Sequence, residues 1–301
     1  MSAARDFAGY RWNPPALRWP GGAGLAVSFV LNVEEGAELA LSAGDERNES
    51  RHEVNHEVVG APDLCMESQF EYGSRVGYWR ISRLLMEAGM PLTLNACARA
   101  LEATPWIAGD AAEHDFEICC HGWRWESHAG MPEQEERERI ARSVATIRRL
   151  HGRAPVGWHT KSSASVNTRR LLVEHGGFLY DSDAYNDDLP YYLPVAGRPH
   201  LVLPYAFDTN DMRFFDNFAF VRGDDFAGYA IDALECLLRE ARHAPRMMSI
   251  GLHTRIIGRP GRIGGLARLL AHIRERGDVW CATREQIARH WLANVAPDAA
   301  A

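Results

Sequence analysis

Short apolar runs alternate along this chain with stretches of helical periodicity. Leu25–Leu31 reads as a buried strand, followed by Pro91–Asn95, Asp115–Cys120, Ala154–Trp158 and Phe178–Asp181. Leu201–Tyr205, Met247–Leu252 and Val279–Ala282 continue the series. Between them the apolar spacing predicts helices over Ser74–Ala88, from about Cys97, and over Pro132–Leu150, Asn167–His175, Asp224–Arg242, Gly261–Glu275 and Arg284–Ala293. Ser74 is a candidate N-cap and Gly89 a stop for the first of these. Pro132–Leu150 carries acids in its first turn and Arg148 and Arg149 in its last, the order that complements a helix dipole. This alternation predicts an α/β fold with a parallel sheet, a barrel of roughly seven or eight strands. One catalytic domain is expected over 1–301, with a short extension at about 1–20 and a tail at about 294–301. Gly36–Glu71 and Ser182–Arg198 look irregular, and loops of that length usually cover a site.

Polar clusters recur just after the strands: Asn32 to Glu35, Asn95, His121 to Trp125, Gly157 to His159, Asp181 to Asp183, Asp208 to Asp211, and His253 to Arg255. In parallel α/β folds the C-terminal strand ends form one face, and active sites sit there. One such cluster means little. Seven, rich in His, Asp, Glu and Trp, predict a shared site.

Composition narrows the chemistry. The formal charge is −7 with no basic tract, which argues against a nucleic-acid partner. Lysine occurs once, at Lys161, so lysine catalysis has a single possible residue. Six cysteines form no C-x-x-C pair, which argues against a cysteine zinc site. The first twenty residues contain no apolar signal core, and Leu25–Leu31 is too short to span a bilayer. A soluble cytoplasmic protein with no membrane partner is expected. The spacing of a phosphate loop and the G-x-S-x-G elbow are both absent.

Glu34 and Glu35 are adjacent at a strand end, so they point in different directions; one can face the barrel mouth as a base. Glu117 and His121 are four apart on one strand face, a spacing that suggests a shared metal or an acid–base pair. His253 after an apolar strand is a general-acid candidate. Trp123, Trp125 and Trp158 can wall a planar ligand, and Arg255 can reach a substrate oxygen.

Six segments resemble one known group: LNVEEG at 31–36, MESQFEYGSR at 66–75, EICCHGWRW at 117–125, YDSDAYNDDLPY at 180–191, DTNDMRF at 208–214 and HTRIIGRPGR at 253–262. Across about residues 9 to 292 the chain resembles the polysaccharide deacetylase superfamily, and within it the allantoinases of that type. The resemblance implies a single distorted (β/α) barrel of NodB-like type with about seven strands, hydrolysis of a cyclic amide C–N bond, most directly allantoin to allantoate in purine catabolism, and a homotetramer. It also implies a departure. The superfamily holds a divalent metal with an Asp and two His spaced H-x-x-x-H. Here the acidic pair is Glu34-Glu35 and the second His position is Trp125. No cofactor is therefore expected; the alternative is one ion such as zinc on Glu35, Glu117, His121 and His253. The stretch Trp158–Thr168 also departs from the allantoinase branch, with Lys161-Ser162 where Gly-Arg is usual.

On this reading Glu35 is the general base, with His121 orienting it or the water, and His253 the general acid, with Trp123 and Trp158 sandwiching the ring. Asn32, Glu34, Arg124, Asp181, Asn210 and Arg255 complete the expected substrate contacts. The rival readings are a hydrolase of cyclic imides, hydantoins or dihydropyrimidines, a glycan N-deacetylase, and an inactive barrel that binds ligands or acts as a scaffold.

Overall fold

The structure is a computed structural model that describes residues 5–50, 57–161, 163–215 and 220–297. The expected alternation produces β1 (Leu25–Val33), β2 (Leu92–Ala96), β3 (Glu117–Cys120), β4 (Gly157–Trp158) and β5 (Tyr180–Asp181). They are followed by β6 (Tyr191–Val195), β7 (Arg198–Val202), β8 (Arg246–His253) and β9 (Val279–Cys281). One sheet runs β6-β7-β5-β4-β3-β2-β1-β8, with β9 beside the start of β1. Every pairing is parallel except the β6–β7 hairpin. The sheet curls into a distorted barrel. Its seam lies between the end strands β6 and β8, where the isolated parallel bridge of Asn210 with Gly251 ties the segment after β7 to β8.

Strand parity sorts the side chains. On β1, Val27, Phe29, Leu31 and Val33 face the helices and join the main apolar core. Ser28 and Asn32 face the barrel axis, where they meet Ser249 and Tyr205. On β8, Met248, Ile250 and Leu252 face outward, while Ser249 and His253 face in. Side chains two apart on a strand share a face, so each strand delivers one inward residue at its C-terminal end.

The helices are α1 (Leu64–Tyr72), α2 (Tyr78–Glu87), α3 (Ala98–Ala103), α4 (Pro105–Glu113), α5 (Glu133–His151), α6 (Thr168–His175), α7 (Gly223–Glu240), α8 (Pro260–Arg274) and α9 (Arg284–Asn294). The predicted helix start at Ser74 is displaced. Helical chain already begins at Leu64, where Asp63 accepts the Met66 N–H, and Ser74 lies inside a wide turn, Gly73–Gly77, that joins α1 to α2. The region read as wholly irregular to Glu71 therefore contains α1. Ser182–Arg198 likewise contains β6, which turns into β7 through Ala196 and Gly197, both at positive φ. β6 lies on the edge of the sheet, where Pro194 removes no ladder bond that the fold needs. α4, opened by Pro105, was also not foreseen.

The N-terminal stretch closes the barrel floor. Trp19 is buried, stacks on Trp280 and packs at a tilt against Trp291, and the Tyr10 hydroxyl donates to Pro190 O. A capping box of Thr283 and Gln286 starts α9. It aims Arg284 up the axis, where the guanidinium donates to Ser249, Ser182 and the carbonyls of Leu203 and Pro204.

Candidate active site

The inward residues at the strand ends converge. Asn32 of β1 is in register with Asn95 of β2 and with His253 of β8. Two residues beyond Asn32, Glu34 keeps the same parity and enters the mouth. Its Oε1 lies 3.5 Å from His121 Nε2 and 3.6 Å from His253 Nε2. Its Oε2 accepts from Arg255 Nη1 at 2.7 Å. All four side chains are buried. Burial works against the Glu34 charge, yet Arg255, His253 and His121 together hold its carboxyl well below the usual carboxylate range.

His253 is held from behind. Its Nδ1 lies 2.6 Å from Asp211 Oδ1, and Asp211 Oδ2 accepts from the His253 and Ile257 N–H groups. Burial opposes the imidazolium, but Asp211 and Glu34 outweigh it and raise the His253 pKa. His121 Nδ1 faces the backbone carbonyl of His159, which only accepts, so Nδ1 carries a proton and Nε2 faces Glu34.

Several expected contacts lie elsewhere. Glu35 has the opposite parity. It accepts from Thr254 Oγ1 and from the Glu34 N–H, and touches neither histidine; burial raises its pKa. Glu117 shares His121's strand face as expected, but four residues span roughly 13 Å. It binds Tyr180, Thr93 and the Glu285 N–H near the floor, so the set Glu35, Glu117, His121 and His253 is not assembled. Trp158 faces outward against His128 and Phe178. Trp123 lies under the Arg142 guanidinium of α5, so these two rings do not form a sandwich. Arg124 forks onto Asp45 and Glu38 O, and Asp181 holds Arg169 and His200. Asn210 caps a single helical turn at Asp211–Phe214 and reaches Tyr205 rather than the histidines.

The residues not singled out are His159, Asp211, Tyr185 and Tyr205. His159 is the inward neighbour of Trp158, and Asp211 follows Asn210. The His159 ring packs 4.5 Å from that of Tyr205 and 5.1 Å from that of His121. Burial, with the charges of His121 and Arg284, pushes its pKa well down. Tyr185 stacks flat on Phe207 at 4.1 Å, both partly exposed at the rim.

Comparison with known proteins fits this geometry. The sequence profile of the polysaccharide deacetylases matches residues 61–177. A Schizosaccharomyces pombe protein provisionally named a polysaccharide deacetylase is 39% identical, over 97% of this chain and 98% of its own. The chain belongs to the polysaccharide deacetylase family. The crystal structure of the PuuE allantoinase superposes with a TM-score of 0.94 and 44% identity, covering 99% of both chains. A Pseudomonas aeruginosa PAO1 structure described as a probable polysaccharide deacetylase gives 0.93 and 44%, covering 97% of this chain and 99% of that one. The NodB-like barrel is thus the fold. Hydrolase chemistry is the family's common property, and no helix among the described residues is long and apolar enough to cross a membrane.

The metal site of this family does not fit the residues present. Among the described residues no group of three or more His, Cys, Asp or Glu is placed to hold an ion. Glu34, the carboxylate nearest both histidines, is already neutralised by Arg255. At the second histidine position, Trp125 carries the Lys161 ammonium 3.4 Å from its ring centre and the Arg255 guanidinium at 5.1 Å. Two cations therefore flank the place where a third ligand would stand, and a divalent ion would meet their repulsion.

Proposed function

We propose that this protein hydrolyses the C–N bond of a cyclic amide, with allantoin to allantoate as the first reaction to test. The observation that carries the reading is the 2.7 Å pair of Arg255 with Glu34 beneath two histidines. The guanidinium fixes Glu34 as an anion whose other oxygen faces both histidines. The likeness to the PuuE allantoinase over 99% of both chains supports the same reading.

The chemistry divides between the histidines. Water attacks the ring carbonyl carbon and gives a proton to His121 Nε2. The ring C–N bond breaks, and the nitrogen takes a proton from His253 Nε2. Glu34 Oε1, near both Nε2 atoms, stabilises each imidazolium and returns the proton from His121 to His253. Glu34 thus replaces Glu35 as the working carboxylate. The buried mouth suits a small ring better than a polymer. A cytoplasmic homotetramer belongs to this proposal by resemblance.

The names of the relatives favour a second reading, amide deacetylation of a glycan; one relative at 24% identity is a Helicobacter pylori peptidoglycan deacetylase. One panel separates them. The purified chain is given allantoin, hydantoin, dihydrouracil and succinimide, and N-acetylglucosamine oligomers, with and without a chelator. Opening of a ring unaffected by chelation is expected. Acetate release that chelation abolishes would overturn the reading.

A further inference from the structure

The mechanism above leaves the developing oxyanion without a donor, and a hydrogen-bond relay across the barrel mouth supplies one. Leu252 O on β8 can only accept, and it receives Asn32 Nδ2 at 2.9 Å. That fixes the Asn32 amide, so its Oδ1 is the atom that receives Asn95 Nδ2 at 3.3 Å. The same Asn95 nitrogen lies 2.8 Å from His159 Nδ1. An amide nitrogen only donates, so His159 Nδ1 must accept. The imidazole proton then sits on Nε2. Turning the Asn95 amide over would set its oxygen against Asn32 Oδ1. The orientation is held even though Asn95 Oδ1 is buried without a partner, a cost of about 1–3 kcal/mol. An imidazolium at His159 would set a donor against the Asn95 donor, and burial with the charges of His121 and Arg284 disfavours it as well.

His159 Nε2 points toward the rim. Its acceptor is the hydroxyl of Tyr185 at 3.1 Å, on a partly exposed residue, and this oxygen marks where a substrate oxygen can stand. We propose that His159 Nε2–H is a catalytic hydrogen-bond donor that polarises the ring carbonyl and holds the oxyanion, in the tautomer fixed by Leu252 O, Asn32 and Asn95. This rests on the ring-hydrolase reading. A neutral imidazole is a very weak acid, so it keeps its Nε2 proton while donating to the oxyanion and does not compete with the acid–base pair.

Two measurements test it on the full chain. Nitrogen-15 NMR of histidine-labelled protein, with His159 assigned by its absence in His159→Gln, should show a protonated Nε2 and an unprotonated Nδ1. The reverse tautomer would overturn the relay. On any ring that the wild type opens, His159→Phe should lower kcat about 100- to 1,000-fold with KM changed little. His159→Gln, which keeps an N–H near the same place, should recover at least about tenfold of that loss. A His159→Phe rate near wild type would overturn the catalytic assignment. If the wild type opens no ring, the ring-hydrolase reading fails and takes the catalytic assignment with it, whereas the NMR result still decides the relay.

Discussion

Arg255 Nη1 donates to Glu34 Oε2 at 2.7 Å and lies 3.4 Å from Glu35 Oε1, while its guanidinium sits 4.3 Å from the Phe70 ring centre and 5.1 Å from that of Trp125, so the cation is held between two carboxylates and two aromatic faces. All three ionisable side chains are buried. Removing Arg255 takes the guanidinium from both Glu34 and Glu35, and breaking a buried pair in this way costs about 3–5 kcal/mol. Arg255→Met should therefore lower the thermal midpoint by on the order of 10 °C. Arg255→Lys keeps the charge and should lose less. Calorimetry of both variants checks this; an unchanged midpoint for Arg255→Met would mean that the pair carries no stability.

The two adjacent glutamates separate in function. Glu34→Gln removes the anion shared by both histidines and should reduce kcat by about 100-fold or more. Glu35→Gln replaces a carboxyl already raised by burial and should cost less than about tenfold. Steady-state rates on one ring substrate decide. Equal losses would return the base assignment to Glu35.

The Asp211–His253 pair predicts the pH profile. His253 is raised in the folded state, so its contribution to stability is complete below the ordinary imidazole value, roughly 6.5, and is lost as pH rises through the raised one. Glu34 is lowered, so its contribution is complete above the ordinary carboxylate value and is lost as pH falls through the lowered one. Stability should decline above roughly pH 6.5, and kcat should fall on the same limb as His253 loses the proton that it donates. Asp211→Asn should move that basic limb to lower pH. A limb that stays in place would remove Asp211 from the tuning of His253.

Gly77 predicts a packing failure. A Cβ there would collide with the backbone carbonyl of Thr254, next to His253 and Arg255. Gly77→Ala should displace the loop after β8 and cost about 1–3 kcal/mol, together with much of the activity. A soluble variant with wild-type melting and rate would contradict the close approach.

Most of the barrel was legible because apolar runs and helical spacing alternate with little interruption. The site was legible as a set of strand ends but not as a set of side chains, and one cause runs through the misses. Parity along a strand decides which of two neighbours enters the barrel. Ser28, Asn32 and Glu34 share a face, which excludes Glu35. His159 enters where Trp158 packs outward, and Ser182 reaches Arg284 where Asp181 turns to Arg169. Carrying the apolar alternation two residues past each strand would have found these. Nothing comparable marks Asp211, which arrives from a loop across the open seam.

Arg284 links the last helix to the barrel axis, and this sets an order of events during synthesis. The hydroxyls and carbonyls that it ties together belong to β8 and to the segments just after β5 and β7, all made earlier. Until the ribosome has released residue 284 and the α9 that carries it, the axis has no cation to draw those strands together. A nascent chain can form much of its sheet first, yet the catalytic mouth above stays unfinished, so activity appears only once the C-terminal helix has docked.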